Sequence, residues 1–171
     1  FRRVLFRSWP AYRGKEFGYQ VSYPAGWGVM EAKPRLGEAA VEEDEVLSNG
    51  EVQKVTFLEE SYGMYQGRFQ VRVLPLPQKQ PFKQWVDRYV ADYRDVYGKG
   101  LVEWVAETSL AGQPAWRIKA FLFETTSVEV AAAYHGRIYI LAFAGENPND
   151  PDLVEHQMVY ERMLGSFRFQ D

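Results

Sequence analysis

The chain has 171 residues, with 20 Lys and Arg against 23 Asp and Glu for a formal net charge of −3, 46% hydrophobic and 16% aromatic residues, and no cysteine. That length suits one domain with a self-sufficient core, and the lack of cysteine excludes disulfides, thiolate catalysis and cysteine-ligated zinc or iron–sulfur centres. The acidic balance argues against nucleic acid, which requires a basic stripe to displace phosphate counterions, and no run reaches the roughly 18 apolar residues that a membrane span needs.

In chain order, Phe1-Arg-Arg-Val-Leu-Phe-Arg-Ser8 reads as translated sequencing adapter and is set aside from fold reasoning. It holds three arginines and no acid, so the remainder carries 20 − 3 = 17 basic against 23 acidic residues, a balance of −6. No cluster of four Lys or Arg remains to dock on anionic membrane. On this reading the natural N-terminus, with any leader or lipid-attachment cysteine, lies upstream. Residues 9–16 are a linker, and 17–170 form a single domain.

Phe17, Tyr19, Val21 and Tyr23 alternate with Gly18, Gln20 and Ser22, which predicts a half-buried strand with an aromatic face, closed by the Pro24-Ala-Gly-Trp27 turn. Val29 and Met30 begin a second short strand. From Glu31 to Gly50 the chain is polar, with the acidic run Glu42-Glu-Asp-Glu45, and reads as a solvated connection with a helical turn around Ala39 to Leu47. Val52–Glu60 and Phe69–Val73 are strands, joined by the Ser61–Gly67 loop, and Pro75-Leu-Pro77 ends that sheet segment because proline cannot donate to a ladder.

Phe82, Trp85, Val86, Tyr89, Val90 and Tyr93 fall on one helical stripe, with Pro81 in the first turn and Gly98 beyond the end. The opposite face, with Lys83, Asp87, Arg88, Asp92 and Arg94, is wet. Four strands follow: Leu101–Thr108, Ala115–Phe123, Ser127–Tyr134 and Arg137–Phe143. Gly112-Gln-Pro114 and Tyr134-His-Gly-Arg137 are the turns, the second a two-residue hairpin with His135 and Gly136 at positive φ. That register sets Tyr134 against Arg137, Ala132 against Tyr139 and Val130 against Leu141, so both faces of the hairpin are apolar and require a cover on each side. A last helix, capped by Asp150 and stopped at Gly165, supplies the second cover, and Ser166–Phe169 is a final short strand. The expected fold class is α+β, an α-β-α sandwich with a mainly antiparallel central sheet of six to seven strands.

The chain resembles the PsbP-like superfamily. The resemblance rests on the opening strand with Tyr23-Pro-x-Gly-Trp27, on Leu110-Ala-Gly-Gln-Pro-Ala115, on Gly136-Arg-Ile-Tyr-Ile-Leu141 and on the Leu164-Gly-Ser-Phe-Arg-Phe169 close, in that order over about Phe17 to Phe169. It implies an α-β-α sandwich and a non-catalytic role: assembly or stabilisation of a membrane complex, or a secreted or lipid-anchored bacterial module outside the cytoplasm. No binding residues carry over.

Residue chemistry agrees with that absence of catalysis. His135 falls at a hairpin tip and His156 on the polar side of the last helix, neither with a ligand-spaced companion, so no metal is expected. No Gly-x-Ser-x-Gly elbow occurs, and Ser22, Ser109, Ser127 and Ser166 lie in or beside strands where a hydroxyl satisfies local backbone. The acidic run lacks the looped spacing of a calcium site, and neither phosphate-binding glycine motif is present. No cofactor is expected. Tyr62, Met64 and Tyr65, in a glycine-flexible loop, are the candidate ligand-binding residues. The leading expectation is a non-enzymatic binding or assembly domain with a protein partner and no nucleic acid, touching membrane only through an N-terminal anchor. The alternative is a small-ligand module with a pocket between sheet and helix and the Ser61–Gly67 loop at its mouth. Assembly predicts an exposed apolar or charged patch, ligand binding an aromatic-lined concavity, and catalysis a convergence of polar groups in a cleft.

Overall fold

The computed structural model describes residues 8–32, 50–60, 65–97, 102–122, 125–145 and 147–171. Seven strands form one antiparallel sheet in the order β3-β4-β5-β9-β8-β7-β6, with β3 at Trp27–Ala32, β4 at Gln53–Glu59, β5 at Arg68–Pro75, β6 at Val102–Leu110, β7 at Gln113–Leu122, β8 at Thr125–Tyr134 and β9 at Arg137–Ala144. A second antiparallel sheet, in the order β1-β2-β10, joins Ala11–Gly14, Tyr19–Ser22 and Arg168–Phe169. The helices are α1 at Phe82–Tyr97 and α2 at Leu153–Ser166.

The middle strand explains the layers. In β9 every residue from Ile138 to Phe143 is buried. Successive side chains alternate faces, so Tyr139, Leu141 and Phe143 enter one core while Ile138 and Ile140 enter another. On the first face lie Val55, Phe57, Phe69, Val71, Val73, Val128 and Val130, covered by Val159, Tyr160 and Met163 of α2 and by Tyr19, Val21 and Phe167 from the small sheet and its approach. On the second, Leu74, Ala131, Ile138 and Ile140 meet Phe82, Trp85 and Tyr89 of α1, and Val102 and Ile118 meet its Val86 and Val90. The α1 stripe therefore lies against the sheet as its spacing predicts.

The β8–β9 hairpin has the expected register, with Tyr134 opposite Arg137, Ala132 opposite Tyr139 and Val130 opposite Leu141, and its tip residues His135 and Gly136 have φ of 47° and 74°. Four expectations need correction. Residues 9–16, expected as a linker, supply β1, whose Ala11–Gly14 pairs with Tyr19–Ser22. The opening and closing strands build the small sheet rather than the central one. The β6–β7 turn is Ala111-Gly112, one residue earlier than expected, both at positive φ and with Leu110 opposite Gln113. Gly165 does not stop α2, which runs to Ser166; the Ser166 hydroxyl donates to the Met163 carbonyl and accepts from the Ser22 amide, tying the helix end to β2. The acidic run Glu42–Glu45 lies outside the described residues.

Candidate functional site

Beside the β4–β5 loop, three elements converge on one imidazole. Glu59 ends β4, Asp150 lies three residues before α2, and His156 sits in the first turn and a half of α2. His156 Nδ1 is 2.7 Å from Asp150 Oδ2 and its Nε2 is 3.1 Å from Glu59 Oε2. The same Glu59 oxygen accepts the Gly67 amide at 3.1 Å. The Tyr160 hydroxyl, one helical turn on, accepts the Arg68 amide at 3.1 Å. Gly67 is required here: a Cβ would come within 2.7 Å of the Trp27 ring and 3.2 Å of His156.

Burial alone lowers the His156 pKa, but its hydrogen bonds to Asp150 and Glu59 and their negative charge outweigh that cost and leave it raised above 6.5. Burial pushes the Tyr160 hydroxyl up to about 12. The expectation of an isolated His156 on the polar helix side is therefore wrong: the ring is buried and held by two carboxylates. Asp150 does not act as the N-cap either. Its Oδ1 accepts the Asp152 amide at 2.8 Å while its other oxygen holds the histidine, and the N-cap position is Asp152. His135 lies elsewhere, at the exposed β8–β9 tip, stacked on Tyr134. Both nitrogens of His156 are engaged, which leaves neither free as a base or a ligand.

A second polar cluster lies under α1. The Arg72 guanidinium of β5 donates to Glu129 of β8 at 2.6 Å, to Glu51 at 3.3 Å and to the Tyr89 hydroxyl of α1 at 3.0 Å, and Tyr89 donates to Glu129 at 2.7 Å. Burial and the charge of Glu129 raise Tyr89 well above its ordinary value. Burial works against the charged form of Arg72, but the carboxylates of Glu129 and Glu51 hold its proton more firmly than usual. The cluster bolts the helix to the sheet. Among the described residues, no group of three or more His, Cys, Asp or Glu is arranged to hold a metal ion.

The third feature is apolar. On the α2 side of the large sheet, Trp104 of β6 stands beside Lys119 of β7, and Phe121, two residues on from Lys119, points to the same face. Arg117 on that face reaches Glu161 of α2 at 2.5 Å. Val154 and Met158, one turn apart on the outer side of α2, precede Glu161. Trp104 is 40% exposed, Phe121 41%, Val154 70% and Met158 50%. Of the predicted ligand-binding residues, Tyr62 and Met64 lie outside the described residues, and Tyr65 is half-buried in a turn before β5.

Against solved structures, the chain superposes on the solution structure of cyanobacterial PsbP (CyanoP) from Synechocystis sp. PCC 6803 with a TM-score of 0.63 at 14% identity, over 95% of this chain and 92% of that one. The fold is PsbP-like. The crystal structure of PA94 from Pseudomonas aeruginosa, a protein of unknown function, matches with a TM-score of 0.52 at 15% identity over 81% of this chain and 93% of its own. No family model and no curated protein sequence matches the chain. The PsbP-like resemblance read from the four motifs thus holds at the level of fold. Among the described residues no helix is long and apolar enough to cross a membrane.

Proposed function

We propose that this PsbP-like domain is a non-enzymatic binding or assembly module, carried outside the cytoplasm on an exported or lipid-anchored chain, and that it recognises a protein partner through the face bounded by β6, β7 and α2. The observation that supports this most strongly is that Trp104 and Phe121 on the β6–β7 face, and Val154 and Met158 on α2, are large apolar side chains at 40% to 70% exposure, on elements that Arg117 and Glu161 join. Exposed aromatic and methionine side chains gathered on one face favour protein contact. The polar clusters support the same reading from the other direction. Both ring nitrogens of His156 and both terminal nitrogens of Arg72 are engaged by internal partners, joining elements of the domain to one another.

Copurification tests the proposal. The chain, expressed from its complete gene in its native host and recovered by affinity tag in mild detergent, retains a partner. A Trp104→Glu, Phe121→Glu double variant folds normally but releases it. Retention of the partner by the folded double variant overturns the assignment of this face.

A further inference from the structure

We propose that His156 is a proton-operated clasp between α2 and the loop end of the β4–β5 hairpin, and that loss of its proton breaks its contact with Glu59 while its contact with Asp150 stays. The clasp goes beyond partner recognition and stands or falls separately from it.

Hydrogen counting fixes the charge of the ring. Ionised carboxylates accept but do not donate, so an imidazole bridging Asp150 and Glu59 must carry hydrogen on both nitrogens and is therefore an imidazolium. The neutral ring has one hydrogen to share. Asp150 retains it, because its contact is shorter, 2.7 Å against 3.1 Å, and its side chain is the less exposed, 10% against 35% for Glu59. The Nε2 lone pair then faces the Glu59 carboxylate, and that contact changes from attractive to repulsive. Glu59, with water within reach, is the partner able to turn away.

Among the described residues, the groups around the ring are few. β4 contributes Glu59, the segment before α2 contributes Asp150, and α2 itself contributes Tyr160, whose hydroxyl, at about 12, stays neutral through the histidine range. From the residue before β5 comes the Gly67 amide on Glu59 and from the start of β5 the Arg68 amide on Tyr160; from β3 comes the uncharged Trp27 ring, which packs on Tyr160 at 6.4 Å. Asp150 and Glu59, the charges against the ring among the described residues, are both negative and favour the imidazolium, consistent with the raised pKa, so the clasp is closed at mildly acidic pH and opens as pH rises. Its consequence is mechanical. Glu59 Oε2 also accepts the Gly67 amide, so when it turns away that bond is lost and the Glu59 amide, donating to the Gly67 carbonyl at 2.9 Å, is left to join the two strand ends.

Nuclear magnetic resonance on the full chain with His135→Asn, which leaves one histidine and keeps a residue tolerant of positive φ, tests this directly. The His156 ring and the Gly67 amide are followed from about pH 5 to pH 9, the range that spans histidine titration. The expected result is one shared midpoint above 6.5, with the Gly67 amide losing its response and the His156 midpoint falling in Glu59→Gln. A Gly67 amide that does not move through the His156 titration, or a His156 midpoint at or below 6.5, overturns the proposal.

Discussion

Replacing Arg72 by methionine isolates the electrostatic contribution of the cluster beneath α1. Methionine keeps much of the buried stem but removes the guanidinium that Glu129, Glu51 and Tyr89 share. The side chains of Glu51 and Glu129 are only 2% and 8% exposed, so both carboxylates would remain away from water without their cation. Breaking a buried ion pair from one side costs about 3–5 kcal/mol, and for a chain of this size each kcal/mol lowers Tm by roughly 2–4 °C. Arg72→Met should therefore melt roughly 10 °C below the parent, with a matching loss in urea-midpoint stability read by tryptophan fluorescence. Adding Glu51→Gln and Glu129→Gln removes the orphaned charges, and the triple variant should recover part of the loss. A single-variant cost under about 1 kcal/mol, or a triple variant less stable than Arg72→Met alone, would refute the view that these charges are buried and mutually dependent.

Gly14→Ala forces a Cβ to within 2.3 Å of the Tyr19 ring, which is fully buried and donates its hydroxyl to Gln53, so overpacking should cost about 1–3 kcal/mol in a denaturant titration. Tyr139→Phe leaves the Phe17 carbonyl without the hydroxyl now 2.5 Å away, and should lose about 1–3 kcal/mol with an unchanged fold by circular dichroism. The raised His156 pKa adds stability that is fully present below 6.5 and is lost as pH rises through the folded-state value. His156→Gln should therefore trail the parent by its widest margin in acid and approach it in alkali, as measured by urea midpoints at several pH values.

The central layer was readable because its signals are local. Alternation in Phe69–Val73 and the His135-Gly136 turn fix strand and register within a few residues, and the Phe82–Tyr93 stripe fixes the face α1 buries. β1 escaped because a four-residue strand whose one large apolar side chain is Tyr12 has no period to read. The split into two sheets escaped for a different reason: alternation in Tyr19–Ser22 shows that one face is buried, not which strands lie beside it. The His156 clasp was half legible. Asp150 is six residues away in the chain and visible as an acid before the helix, but Glu59 is 97 residues distant, and no pattern of spacing joins them. Arg72 and Glu129 left a fainter clue, a charge of each sign among apolar neighbours in Val71-Arg-Val73 and Val128-Glu-Val130, each needing a buried partner. Trp104 and Phe121 share their sheet face with Arg117 and Lys119, and nothing in the β6 and β7 sequences says how far α2 extends over that face.

Site-specific photocrosslinking tests the proposed role most directly. A photoreactive amino acid is placed at position 104, at 121 or at exposed Lys79 in the chain expressed from its complete gene in native cells. Positions 104 and 121 should capture the same discrete protein, and position 79 should not. Capture at 79 alone, or no adduct at 104 or 121 while the chain is folded and abundant, would contradict a partner-binding face on β6, β7 and α2.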